Sequence, residues 1–362
     1  MAKTGNRTLV LQNHVQEHLL ITLISFAATV SITRLFLELT GYPQIGAGEL
    51  HIAHVLWGGL ILFIGSLIAM MFSNRWALEI SAFLSGVGIG LFIDEVGKFI
   101  TQSNDYFYPS AAPIIYTFFL LTVLLFIEIR RPRKKNARTN LYNSFQDMEE
   151  LLDNDLSIKE QRQLVIKLNQ AIEFSKEPQL TDLAKTLKEY LKERENYLVP
   201  HKPLFIEKWK LRYQLFEIKN FKRNRFRFIL AILLVVWGIY SVFEPYIILQ
   251  AFNNPVFIEQ LISDLINQRL VRNASGLNWF EAQVIMEGLI GLISILSGFL
   301  ILIKREILGL RIASVLLLFT LTAGNILMFY FDQFSTIANA TVQFVIFIMI
   351  LRYRKRFLSH QS

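Results

Sequence analysis

The chain has 362 residues, 53% hydrophobic and only 18% charged, with mean hydropathy +0.39, 30 Phe and no Cys. A soluble domain carries about 25% charged residues, so this balance excludes a soluble globular enzyme, a disordered chain and a fibrous repeat. The missing Cys excludes disulfides, thiolate catalysis, Cys-ligated zinc and iron–sulfur clusters. The net charge of +8 belongs to the ends of membrane spans, and no nucleic-acid partner is expected.

Eight hydrophobic runs follow in chain order, roughly 19–39, 51–72, 77–99, 111–129, 228–250, 282–303, 307–330 and 335–351. Each is long enough to cross about 30 Å of hydrocarbon at about 1.5 Å per residue. The first follows a polar leader (Asn13, His14, Gln16, Glu17, His18) without a small-residue cleavage site, so it is expected to stay as an anchor. The fold class expected is an all-α polytopic membrane protein. Basic residues cluster after span four (Arg130, Arg131, Arg133, Lys134, Lys135, Arg138), before span five (Lys219, Lys222, Arg223, Arg225, Arg227) and after span eight (Arg352, Arg354, Lys355, Arg356). The positive-inside rule then places both termini and the 130–227 insert in the cytoplasm, with the chain in the cell (inner) membrane.

Within the insert, apolar residues at three-to-four spacing predict one helix over 143–175 and a second over 179–198, divided at Pro178. A solvated cytoplasmic hairpin is the plain expectation. Binding of a partner or a second copy through 140–215 is the functional alternative, and the basic flanks suit anionic membrane lipids.

The halves resemble each other. His54-Val-Leu-Trp-Gly-Gly-Leu-Ile61 aligns with Gln283-Val-Ile-Met-Glu-Gly-Leu-Ile290 at an offset of 229, which also sets Arg75 on Lys304. After a two-residue gap, Asp105-Tyr-Phe107 meets Asp332-Gln-Phe334. Two parallel four-span repeats are expected, over 1–129 and 228–362, around the insert.

The first half carries the ionisable groups. His51 and His54 open span two at i,i+3 spacing, on one helical face. Asp94, Glu95 and Lys98 lie near the outer end of span three, at the depth of His54. Arg34 and Glu38 form an i,i+4 pair near the outer end of span one, and Asp105 and Tyr106 sit in the loop above. Ionisable groups inside spans default to function. Two imidazoles and two carboxylates suit a divalent metal (Zn, Mn or Fe) with His51, His54 and Asp94 as ligands and Glu95 as ligand or general base. Arg34 and Lys98, with Glu38, Asp105 and Tyr106 nearby, would hold the substrate. The structural alternative pairs Lys98 with Asp94 and Arg34 with Glu38. Gly86 and Gly90 mark a stripe for close helix approach, with Gly58 and Gly59 as the matching hollow on span two. Glu287, Asn325, Asp332 and Gln343 are the polar candidates of the second half. The five Trp are expected mostly as interfacial anchors, and 255–272 as an amphipathic segment that caps the site or lies on the membrane.

The segments Thr33-Arg-Leu-Phe-Leu-Glu-Leu-Thr-Gly-Tyr-Pro43, His51-Ile-Ala-His-Val-Leu-Trp-Gly-Gly-Leu60, Gly88-Ile-Gly-Leu-Phe-Ile-Asp-Glu-Val-Gly-Lys-Phe99 and Asn104-Asp-Tyr-Phe-Tyr-Pro109 resemble a family of bacterial polytopic integral membrane proteins. The resemblance covers roughly 30–120, implies a multi-span bacterial membrane protein and supplies no activity. The residues favour a metal-dependent enzyme acting on a lipid-linked or interfacial substrate. A transporter or channel with a path between the repeats is the rival, and a membrane anchor or sensor the third reading.

Overall fold

The computed structural model describes residues 8–41, 53–131, 136–193, 212, 221–251, 255–267, 270–271 and 274–358. Among them there is no strand, and eight helical segments are long and apolar enough to cross a membrane. Their outward side chains remain apolar and exposed, as at Leu121, Leu124, Phe299 and Val315. Such surfaces are tolerable facing lipid and not water. The chain is an all-α multi-pass membrane protein.

The first four spans are α1 (Val15–Thr40), α2 (His54–Met71), α3 (Arg75–Asp94) and α5 (Ala111–Arg130), with a short α4 (Val96–Ile100) after α3. The expected third span is therefore broken. At Glu95 the backbone leaves the helix (φ −91°, ψ 12°) and α4 restarts one residue later. The insert forms α6 (Ala137–Leu152), α7 (Ile158–Phe174) and α8 (Pro178–Glu193). Three helices replace the predicted two, and the predicted run beyond 193 lies outside the described residues. Asn154 takes a left-handed φ of 55° after α6, and Ser157 and Glu160 form a capping box that starts α7. That S-x-x-E signature was present in the sequence, and it outweighs an apolar spacing that runs through the break.

The remaining elements are α9 (Arg223–Ala251), α10 (Pro255–Asn267), α11 (Ala274–Leu302), α12 (Glu306–Phe319), a π-helical turn (Thr320–Gly324), α13 (Asn325–Phe331), a 3₁₀ turn (Gln333–Ser335) and α14 (Thr336–Phe357).

Contacts group the chain into two units. The first comprises Met1–Phe26, Leu60–Gly88 and Val123–Arg212, and the second Ala27–Gly59, Ile89–Thr122 and Tyr213–Ser362. In the first, α6, α7 and α8 enclose Leu141, Leu164, Leu168, Ala184 and Leu191. Helices α1 and α3 cross at Gly86, where an added Cβ would meet the Thr22 carbonyl oxygen at 2.4 Å. The glycine stripe thus serves α1, while Gly59 has nothing within 4 Å of an added Cβ. On α2 it is Gly65 that meets α3, where an added Cβ would lie 3.3 Å from the Ser81 carbonyl oxygen and from Leu84 Cβ.

In the second unit, α9 and α11 approach through Gly238 and Gly291, each with the other's carbonyl oxygen 2.6–2.7 Å from an added Cβ. Close backbone approach is how membrane helices gain packing without a hydrophobic driving force. The core around them contains Leu230, Leu234, Ile290, Leu317 and Tyr353. Trp237 is 5% exposed within that core, so it is a packing residue and not the interfacial anchor expected. The 255–272 segment, which α10 occupies in part, buries Leu265, Leu270 and Val271 against Phe331.

Candidate functional site

The break after α3 creates the site. Because α3 ends at Asp94 and α4 begins at Val96, two consecutive carboxylates leave the helix in different directions and are both buried, at 0% and 1% exposure. Burying an ionised carboxylate is costly unless it is paired and hydrogen-bonded. Each carboxylate here has its own set of donors.

Asp94 receives Arg34 from α1. Nε donates to Oδ1 at 2.5 Å, and Nη2 donates to the Asp94 carbonyl oxygen at 2.9 Å. Its Oδ2 accepts the Tyr106 hydroxyl at 2.6 Å and lies 3.0 Å from His54 Nε2. Glu95 accepts Lys98 Nζ at 2.6 Å and the Val55 backbone N–H, in the first turn of α2, at 3.3 Å. A carboxylate at a helix N-terminus is stabilised by the free amides and the helix dipole. His54 Nδ1 lies 3.3 Å from Glu95 Oε1. The imidazole, 24% exposed, therefore stands between two buried carboxylates. The Arg34 guanidinium is sandwiched by the Phe334 ring at 3.6 Å and the Tyr106 ring at 4.1 Å, and its Nη1 is buried with no hydrogen-bond partner among the described residues. Burial, with Asp94 alongside, pushes the Tyr106 phenol far above its usual range, so it keeps its proton and donates a hydrogen bond to Asp94.

Arg34 and Lys98 balance Asp94 and Glu95 in formal charge. Arg34, His54, Asp94, Glu95, Lys98 and Tyr106 are brought together. The expected pairs are exchanged. Arg34 bonds Asp94 rather than the exposed Glu38, because a buried guanidinium gains most from a buried acceptor, and the break at Glu95 brings its carboxylate, not that of Asp94, to Lys98. Asp105 accepts the Phe107 N–H at 3.0 Å within its own loop. That loop crosses so close to α4 that a Cβ on Gly97 would lie 2.7 Å from the Asp105 carbonyl oxygen. His51 lies outside the described residues. Among those described, no three His, Asp or Glu side chains are grouped to hold a metal ion.

The second-half candidates form two groups. Gln283 Nε2 donates to Asp332 Oδ2 at 2.9 Å, and burial with Glu244 nearby pushes the Asp332 carboxyl up to about 6. Glu287 follows Gln283 by one turn of α11. Deeper in the chain, Asn325 Nδ2 donates to Gln343 Oε1 at 2.9 Å, with both residues buried. The Tyr116 hydroxyl, from α5, lies 3.4 Å from Asn325 Nδ2 and donates to the Leu321 carbonyl at 2.5 Å, inside the π-helical turn. Sequence reasoning missed Tyr116 and Phe334. A Tyr or Phe in an aromatic-rich span carries no signal of its own, although Phe334 lies in the segment that aligns with the Asp105–Phe107 loop.

No protein-family model, curated protein or solved structure matches the chain.

Proposed function

We propose that the chain is a proton-linked transporter of a small solute, with His54 as the proton-responsive group of its outer cluster. The observation that carries this reading is the partly exposed imidazole held between two buried carboxylates. A neutral imidazole has one N–H and can donate to one carboxylate, whereas an imidazolium donates to both. Proton exchange at His54 would therefore decide whether α2 is tied to both Asp94 and Glu95. The groups facing it are Arg34 from α1, Asp94 from α3, Glu95 and Lys98 from the break and α4, and Tyr106 from the loop. Ionisable chains of this type inside membrane spans mark proton and substrate pathways. The π-helical turn adds support, since it frees backbone carbonyls beside half-buried Tyr116 and buried Asn325 and Gln343, and such irregularities often accompany binding sites. The basic clusters at the span ends support a cytoplasmic side for both termini and the insert.

A metal-dependent enzyme would need free ligand atoms, while those of Asp94 and Glu95 are engaged by Arg34, Tyr106, Lys98 and a helix amide. The test needs no known solute. Proteoliposomes on a solid-supported membrane are given a step to lower external pH. A transient charge displacement is expected in wild type and its loss in His54→Gln, with thermal melting confirming that the variant is folded. No current in wild type, or an unchanged current in the variant, overturns the proposal. About one metal ion per chain, lost in His54→Gln, would overturn it in favour of the metalloenzyme.

A further inference from the structure

The first unit holds a cavity of about 230 Å³ whose lining includes His14, His18, Ser73, Arg75, Glu149 and Glu150. Its walls fix its level in the membrane. His14 and His18 flank the start of α1, and Ser73 lies in the turn between consecutive spans α2 and α3. Glu149 and Glu150 come from α6, outside the spans. The cavity therefore sits where apolar spans end and the insert begins, at the depth of lipid headgroups. Exposed Met70, Met71, Phe72 and Trp76 beside the turn offer lipid-facing contact of the kind found at membrane interfaces. The volume falls below the roughly 300–1,000 Å³ of pockets for drug-sized ligands and suits a headgroup.

The charges select its chemistry. The Arg75 guanidinium is shared among four carboxylates, Glu150 at 2.9 Å, Glu17 at 3.1 Å, and Glu79 and Glu160 at 3.3 Å. His14 is taken by Glu17 at 3.2 Å and Asp147 at 3.7 Å. Glu149 has no ion-pair partner among the described residues, and burial together with Asp153 raises its pKa. The acids of this region outnumber its cations, so the missing partner is a cation. At the span ends, His18 Nε2 has no hydrogen-bond partner among the described residues, and His18 and Ser73 line the same cavity, which offers an N–H and a hydroxyl to an anion.

We propose that this cavity binds the headgroup of an aminophospholipid, phosphatidylethanolamine, with its ammonium at Glu149 and its phosphate at His18 and Ser73. The order of groups matches, because the ammonium is the part of that lipid farthest from the acyl chains and α6 is the wall farthest from the spans. The inference stands apart from the transport reading.

The test uses the full chain in nanodiscs of fixed anionic lipid content, with either phosphatidylethanolamine or phosphatidylcholine as the remainder. Retained lipid is counted by native mass spectrometry. Phosphatidylcholine has no N–H, so retention of phosphatidylethanolamine is expected to be favoured roughly tenfold, the effect of one charge-assisted hydrogen bond. Glu149→Gln should remove most of that preference, and Glu189→Gln, an exposed acid elsewhere on the insert, should keep it. Equal retention of both lipids, or an unchanged preference in Glu149→Gln, overturns the proposal. Displacement of the lipid by soluble phosphoethanolamine at millimolar concentration would assign the same chemistry to a free metabolite and overturn the lipid assignment.

Discussion

Replacing Arg34 with Met removes the only full cation bonded to Asp94 in the described residues and keeps most of the apolar volume. Asp94 is fully buried and Arg34 is 5% exposed, so solvent screening gives little relief. Breaking a buried ion pair by deleting one member costs about 3–5 kcal/mol, because the other charge is stranded. Loss of the stacking on Phe334 and Tyr106 adds roughly 0.5–2 kcal/mol. The Tyr106 hydroxyl and His54 remain to serve Asp94, which favours the lower end of the sum, about 4 kcal/mol. At roughly 2–4 °C per kcal/mol, the melting midpoint in detergent should fall by roughly 8–16 °C. Asp94→Asn should be similarly harmful, since it strands Arg34. The decisive sample is the double variant, Arg34→Met with Asp94→Asn, in which both charges are gone. Its loss should be at least about 2 kcal/mol smaller than the sum of the single losses. The assay is tryptophan-fluorescence melting alongside circular dichroism. If the single losses simply add, within about 0.5 kcal/mol, the two groups are not coupled and the account of the site is wrong.

Two further outcomes follow from other parts of the structure. Gly291→Leu should lower the melting midpoint by several degrees, since any side chain there meets the Gly238 carbonyl at 2.6 Å and overpacking costs about 1–3 kcal/mol; an unchanged midpoint would show that α9 and α11 do not approach so closely. At His14, burial opposes the charged ring, but bonds to Asp147 and Glu17 outweigh it and raise the pKa from 6.5 to about 9. A raised histidine pKa stabilises the fold fully below about pH 6.5 and loses that effect as pH rises through about 9. Wild type should therefore be more stable than His14→Gln at pH 6, with the difference gone by about pH 10, as read from paired melting curves. A constant gap across that range would refute the ion pairing.

The spans were legible because about 20 apolar residues admit little besides a membrane helix, and the eight observed helices lie where hydropathy places them. Depth matching was legible too. Counting residues from the span ends brings His54, Asp94 and Glu95 to one level, and these three do meet. What escaped was local geometry. The break at Glu95 falls at charged residues near the end of an apolar run, with no Pro or capping box to mark it, and the π-helical turn at Thr320–Gly324 lies inside an apolar run. In both, groups from other spans satisfy the interrupted backbone or charge: the Val55 backbone N–H at Glu95, the Tyr116 hydroxyl at Leu321. Such partners are distant in sequence and leave no periodic trace. The extra break in the insert differs, since the Ser157 and Glu160 capping box was written in four adjacent residues.

Sequence alone determined the membrane class, the number of spans, the insert and the set of charged residues at one depth, because each depends on composition or spacing along a single chain segment. Tertiary structure decided which charge meets which. Arg34 faces an exposed Glu38 one turn away and a buried Asp94 sixty residues away, and it takes the second. Desolvation makes a buried, unpaired charge far more costly than a solvated one, so pairing follows burial, and burial exists only once the helices have packed.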